Sequence, residues 1–270
     1  MGIVIANIIA IYRRELQSYF VSPLAYGITS VFWLLAGLFF VMILLGPQGI
    51  LVTVAAFDLQ GQQYGIQVPP VDVPYEFMLA FFDRMGWLLL FILPILSMGL
   101  YTEERKRGTL ELLATSPVTN WAVAIAKLLG VTTFFLTMIL PLLGLEIFTL
   151  SKSNPPLSPI IPILAHGGLL LFATAILSLG MFISSLTDSA ILAAILTFAL
   201  MVLLVFIDLI GNSLPSPLGS AISHLSILKH YNTLIQGIFD TSSLILFASY
   251  IILGIFLTAQ SIDTLRFQRQ

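Results

Sequence analysis

The chain has 270 residues, of which 58% are hydrophobic and 9% charged, with a net charge of −2 and no cysteine. A mean hydropathy of +1.03 excludes an ordinary soluble domain, and the near-neutral charge gives no electrostatic footprint for nucleic acid. Without cysteine, disulfides, thiol nucleophiles and thiolate metal sites are excluded as well.

Residues 3–20 carry apolar side chains at helical spacing, but Arg13, Arg14, Glu15 and Gln17 interrupt any span. They predict an amphipathic helix on the membrane surface, with Tyr12, Tyr19 and Phe20 at the headgroup level; the alternative is the first turn of a longer buried helix. No small-residue cleavage site follows this run, so no cleavable signal is expected. Ser22-Pro23 marks a change of direction. A first span covers about 24–45, ending at Gly46-Pro47, and residues 46–82 read as a polar loop with Asp58, Asp72 and Glu76. A second span at about 84–101 contains Pro94 and runs into five consecutive charges, Glu103, Glu104, Arg105, Lys106 and Arg107. Further spans are expected at about 120–145, 160–183, 190–210 and 243–260, with a helical-looking stretch at 223–239. The chain thus reads as one all-α membrane domain over 1–270, with six spans and no internal repeat.

Six spans place both termini, the 102–119 loop and the 184–189 link on one side. That side holds Arg13, Arg14, Arg105, Lys106, Arg107, Arg266 and Arg269, with Lys127 just inside the third span and able to snorkel back to water. The other side holds only Arg84, Lys152 and Lys229. The positive-inside rule therefore puts the termini and the cluster in the cytoplasm.

Enzymatic chemistry is missing from the inventory. No Gly-Lys pair occurs, so no phosphate-binding P-loop is expected, and neither HExxH nor GxSxG is present. His224 and His230, six residues apart, fit interfacial or hydrogen-bonded roles better than metal ligation. Ser97, Thr132, Thr133, Thr137, Ser178 and Thr197 are expected to bond neighbouring backbone or helices, and Ala122, Ala126 and Gly130 to let helices approach closely. Glu146 and Asp208 fall near span ends, where an acid reaches water, although a role on a substrate path is the other reading. So few intramembrane charges suit a lipid-linked, polysaccharide, peptide or hydrophobic cargo better than a small ion.

The cluster has two readings. Its basic residues could simply anchor a loop, or residues 104–114 could form a helix parallel to the membrane that docks on a cytoplasmic protein. Leu110, Leu112, Leu113 and Ala114 give an apolar surface beside Glu103, Glu104 and Glu111, which favours docking; Thr109 is placed to cap the following turn.

The run EERKRGTLELLATSPVTNWAVAIAKLLG resembles the cytoplasmic loop and following span of ABC type-2 exporter permeases, through Glu104, Arg107, Gly108, Thr109, Leu110, Glu111, Leu112, Leu113, Pro117 and Lys127. Residues 222–247 and 13–27 are similar to the gliding-motility and copper-processing branch of these permeases, except that Gln236 stands where the branch commonly has a basic residue. The resemblance implies the membrane half of an ATP-driven exporter in the bacterial plasma (inner) membrane. The chain would not be an enzyme and would hold no cofactor or metal; ATP and Mg would be bound by a separate ABC ATPase subunit. Two permease chains, as homodimer or related heterodimer, would pair amid membrane lipid. The amphipathic helix, with Arg13, Arg14 and Glu15, and a coupling helix over 103–114 (Glu103, Glu104, Arg105, Arg107, Gly108, Thr109, Leu110, Glu111, Leu112, Leu113) would face the ATPase. A membrane scaffold without transport is the alternative role.

Overall fold

The computed structural model describes residues 2–67, 70–109, 118–154, 156–214, 217–238 and 240–267, without the side chains of residues 3 and 265–267. Among these residues the regular structure is all helical: α1 (Gly2–Val21), α2 (Pro23–Leu45), α3 (Ile50–Tyr64), α4 (Val73–Ser97), α5 (Gly99–Lys106), α6 (Asn120–Leu150), α7 (Ile160–Leu186), α8 (Ala190–Ser213), α9 (Pro217–His224), α10 (Ile227–Ile235) and α11 (Thr241–Phe267). Six of them, α2, α4, α6, α7, α8 and α11, are long and apolar enough to cross a membrane.

Polar residues start the helices where the chain turns. Ser22 precedes Pro23 at the head of α2, Ser189 accepts the Leu192 amide at 3.3 Å ahead of α8, and Ser226 accepts the Lys229 amide at 3.3 Å ahead of α10. The loop expected over 46–82 is instead largely helical. Asp72 accepts the Tyr75 amide at 3.2 Å, Pro74 sits in the first turn and Glu76 meets the positive end of the dipole, so α4 starts at Val73. The adjacent Asp83 and Arg84, at the expected start of the second span, pair with each other at 2.6 Å on the exposed face of α4. On its other face Phe77, Met78, Phe81, Phe82 and Met85 are buried. The apolar start of α3 was likewise hidden among glycines and glutamines. The stretch at 223–239 also divides: α9 ends at His224, and Ser226 starts α10 afresh.

The bundle is organised around α7, which packs against α4, α5, α6, α8, α10 and α11 and is buried on nearly every face. By contrast, α2 buries only the stripe Ala25, Ile28, Phe32, Ala36 and Phe40, leaving apolar side chains for lipid on its remaining surface. Small residues bring the backbones close to α7. A Cβ on Gly254 of α11 would lie 2.5 Å from the Ser178 carbonyl carbon of α7, and the Ser178 hydroxyl is 3.2 Å from the Tyr250 carbonyl oxygen. Gly130, in the predicted small-residue stripe, faces α1: a Cβ there would lie 3.0 Å from Cβ of Glu15.

Gly254→Ala should lower stability in detergent by about 1–3 kcal/mol, because α11 must move off α7 to fit the methyl. Gly144→Ala, where an added Cβ meets nothing within 4 Å, should leave the thermal midpoint unchanged or raise it. Equal midpoints for the two variants would contradict this packing.

Candidate functional site

Lys127 lies in the third turn of α6. At 31 residues, α6 is about 46 Å long, well over the roughly 30 Å of a bilayer core, and Lys127 sits about 10 Å from its start. The side chain does not snorkel. It is only 4% exposed, and its Nζ is 2.9 Å from Glu15 Oε1 of α1 and 2.9 Å from Glu104 Oε1 of α5. The ring of Tyr101 lies 5.0 Å from Nζ, completing the cover. One ammonium thus ties together a terminal helix, the end of the second span and the start of the third. Two carboxylates face one cation, and Glu104 Oε2 is buried with no hydrogen-bond partner.

The way α1 meets α6 suits this node. Tyr12 and Tyr19, seven residues apart, reach adjacent residues of α6: the Tyr12 hydroxyl donates to Thr133 at 3.3 Å, and the Tyr19 ring stacks on Phe134 at 4.8 Å. The helix therefore crosses α6 instead of running along it. Burial, reinforced by Glu15, holds the Tyr19 phenol above its usual range, so it packs as a neutral ring. Arg13 and Arg14 are exposed while Glu15 turns inward.

The five charges diverge. Glu103 pairs with Arg107 at 3.2 Å on an exposed face, an i,i+4 pair worth only a few tenths of a kcal/mol. Glu104 goes to the node. Arg105 Nη1 donates to the Ser185 carbonyl of α7 at 2.6 Å, and Lys106 is exposed. Gly108, at φ +68°, ends the helix: its amide donates to Arg105 O at 3.1 Å and that of Thr109 to Glu104 O at 2.9 Å, the pattern of a Schellman stop. The helix expected over 104–114 is therefore interrupted. Glu103 to Lys106 extend the second span, and Gly108 is explained by that span's termination. Thr109 closes the same helix, its hydroxyl donating to Glu104 O at 3.2 Å, and the turn it was expected to cap lies outside the described residues. Leu110, Glu111, Leu112 and Leu113 lie outside the described residues. Beside the node a cleft of about 820 Å³, bordered by Arg14, Glu103, Arg107 and Thr109, separates the α1–α2 corner from α5.

Sequence reasoning named Lys127 and both acids without joining them, since all three lie on different helices and Glu15 is more than a hundred residues from Lys127 along the chain. It also misplaced Glu146, which does not reach water. That side chain is 1% exposed, both its oxygens lack hydrogen bonds, and Oε2 is 3.8 Å from His166 Nδ1, which itself bonds Pro162 O at 3.0 Å. Asp208 is half-buried and accepts from Ser223. His230 uses both ring nitrogens, toward Ser243 Oγ at 2.8 Å and His224 O at 3.0 Å. Of the span residues expected to bond backbone or neighbouring helices, Ser97, Thr133, Thr137, Ser178 and Thr197 do so, whereas the buried Thr132 hydroxyl has no partner among the described residues.

Lys127→Met leaves two buried acids facing each other and should cost about 3–5 kcal/mol. A cysteine at the partly buried Leu16 should then react faster with maleimide, and adding Glu15→Gln with Glu104→Gln should restore protection. Unchanged reactivity in the single variant would contradict the node.

No curated protein matches the chain. The family model for the ABC-2 family transporter protein matches residues 9–270. All but the first eight residues fall within that match, and with six membrane-crossing helices around them the chain belongs to the ABC-2 transporter family, as a multi-pass membrane permease.

Proposed function

We propose that this chain is the membrane subunit of an ATP-driven exporter, moved by a separate ATPase subunit that docks at the charged end of the bundle. The observation that carries the reading is the buried Lys127 node. An exposed loop could bind a partner without moving anything, whereas a node shared by α1, α5 and α6 makes displacement of one helix a displacement of three. Residues 110–113, with Glu111 between leucines in the sequence, supply docking contacts, and the exposed Arg13, Arg14 and Glu103 add charged ones. Two such chains, identical or related, form the membrane unit, and nucleotide acts by favouring one arrangement of the bundle through differential contacts. The charged end faces the cytoplasm, a reading supported by the distribution of Lys and Arg, and the family resemblance supports a bacterial cell. Similarity of residues 13–27 and 222–247 supports the gliding-motility and copper-processing branch. The scarcity of ionisable side chains within the spans suits a lipid-linked, polysaccharide, peptide or hydrophobic cargo.

Glu111→Ala with Leu112→Asp should cut co-purification of the native ATPase at least tenfold while leaving membrane abundance unchanged. Undiminished co-purification would remove the docking assignment. In this cysteine-free chain, Ser116→Cys should label from the cytoplasm and Ser153→Cys from the opposite side; the reverse pattern, or both from one side, would overturn the orientation.

A further inference from the structure

α4 and α5 follow one helical course, since Met98 between them has φ −58° and ψ −33°, but their hydrogen bonds do not form one ladder. Pro94 has no amide to donate, so one bond of the ladder is missing there. One turn later a side chain from another helix enters. Ser184 Oγ of α7 accepts the Tyr101 amide at 2.9 Å and the Thr102 amide at 3.2 Å, while its own hydroxyl donates to Met98 O at 3.0 Å. Ser184 is fully buried, so water offers these groups no substitute. Proline and an inserted side chain are two established causes of helix kinks, and here they fall within two turns of each other.

From Ser97 onward the rod is fastened to α7. A Cβ on Gly180 would lie 2.3 Å from Ser97 Oγ, so α4's last turn sits directly on the α7 backbone. Arg105 reaches the Ser185 carbonyl at 2.6 Å, and Ser185 Oγ is 2.9 Å from Ser261 Oγ of α11. The segment bearing Glu104 is thus held by α7, and through it by α11, with bonds that the α4 ladder has given up.

We propose that Ser184 is a positioning residue that pins the charged end of the second span to α7, so that displacement of this end is delivered to α7 while α4 pivots at Pro94. The inference rests on the reading of the charged end as the ATPase-facing one. It adds the route: α7 receives the motion, and the part of α4 before Pro94 does not.

The test uses the complex with its ATPase in lipid nanodiscs and pairs of spin labels on introduced cysteines, diluted with unlabelled chain. One pair joins Lys106→Cys to Ile163→Cys near the far end of α7, the other Lys106→Cys to Glu76→Cys near the far end of α4; all three positions are exposed. The arm from Pro94 to Lys106 is about 18 Å long and the arm from Glu76 to Pro94 about 27 Å, so a kink change of about 20° swings the tip sideways by about 6 Å and alters the end-to-end distance by about 1–2 Å. Trapping the ATPase with ATP and vanadate should change the Lys106–Glu76 distance by about 1–2 Å and leave Lys106–Ile163 constant. Ser184→Ala should make the Lys106–Ile163 distance vary with nucleotide, and Ser184→Thr, which keeps the hydroxyl, should restore constancy. A constant Lys106–Glu76 distance with a changing Lys106–Ile163 distance overturns the proposal, as does a Ser184→Ala variant identical to the parent. No change in either pair overturns it too, because nothing would then be delivered to α7. Failure of the ATPase to co-purify with the parent chain is a separate result, and it contradicts the functional reading itself.

Discussion

A cation held away from water by two carboxylates from distant parts of the chain sets the geometry of the functional end. An unpaired ammonium at the position of Lys127 would cost several kcal/mol, so α1 and α5 must both be in place for α6 to pack as it does. The requirement is reciprocal, because Glu15 and Glu104 are themselves largely covered where they meet Lys127. Gly130 allows the approach, with Cβ of Glu15 only 3.0 Å from where a Cβ on Gly130 would stand. Amphipathicity alone would have let α1 float on the surface; the ion pairs fix it to one site.

The rest of the bundle converts this local tie into a mechanical unit. α7 is the common neighbour, and its C-terminal turns carry Gly180, Ser184 and Ser185, which meet α4, α5 and α11 through close backbone approach and hydroxyl bonds. In a lipid surrounding, where burial of apolar surface gives helices little reason to associate, such small and hydroxylated residues supply much of the cohesion. α2 and α8, with their large lipid-compatible surfaces, form the periphery.

Hydropathy made the six spans legible, and Ser22-Pro23 and Gly46-Pro47 marked the two ends of the first. Two physical effects hid the remainder. The expected start of the second span is at about residue 84, yet Asp83 and Arg84 neutralise one another on an exposed face and α4 passes straight through them. Conversely, Glu146 near a helix end suggested contact with water, but neighbouring helices cover it beside His166, which no periodicity along α6 reveals. The charged cluster itself was legible as a special element, yet its residues serve three ends. Glu104 enters the node, Arg105 holds α7, and Gly108 stops the helix. A linear pattern cannot separate the first two roles because their partners, Lys127 and Ser185, come from other helices, whereas the stop at Gly108 is local.

The central claim is that the node transmits the ATPase's work. The most direct measurement is ATP hydrolysis by the reconstituted complex carrying Lys127→Met, Glu15→Gln and Glu104→Gln together, a combination that removes charge without leaving a buried ion unpaired. The account predicts that this chain inserts, folds and retains its ATPase, but that hydrolysis no longer differs from that of the ATPase alone. Hydrolysis controlled by the membrane subunit as in the parent complex would contradict it.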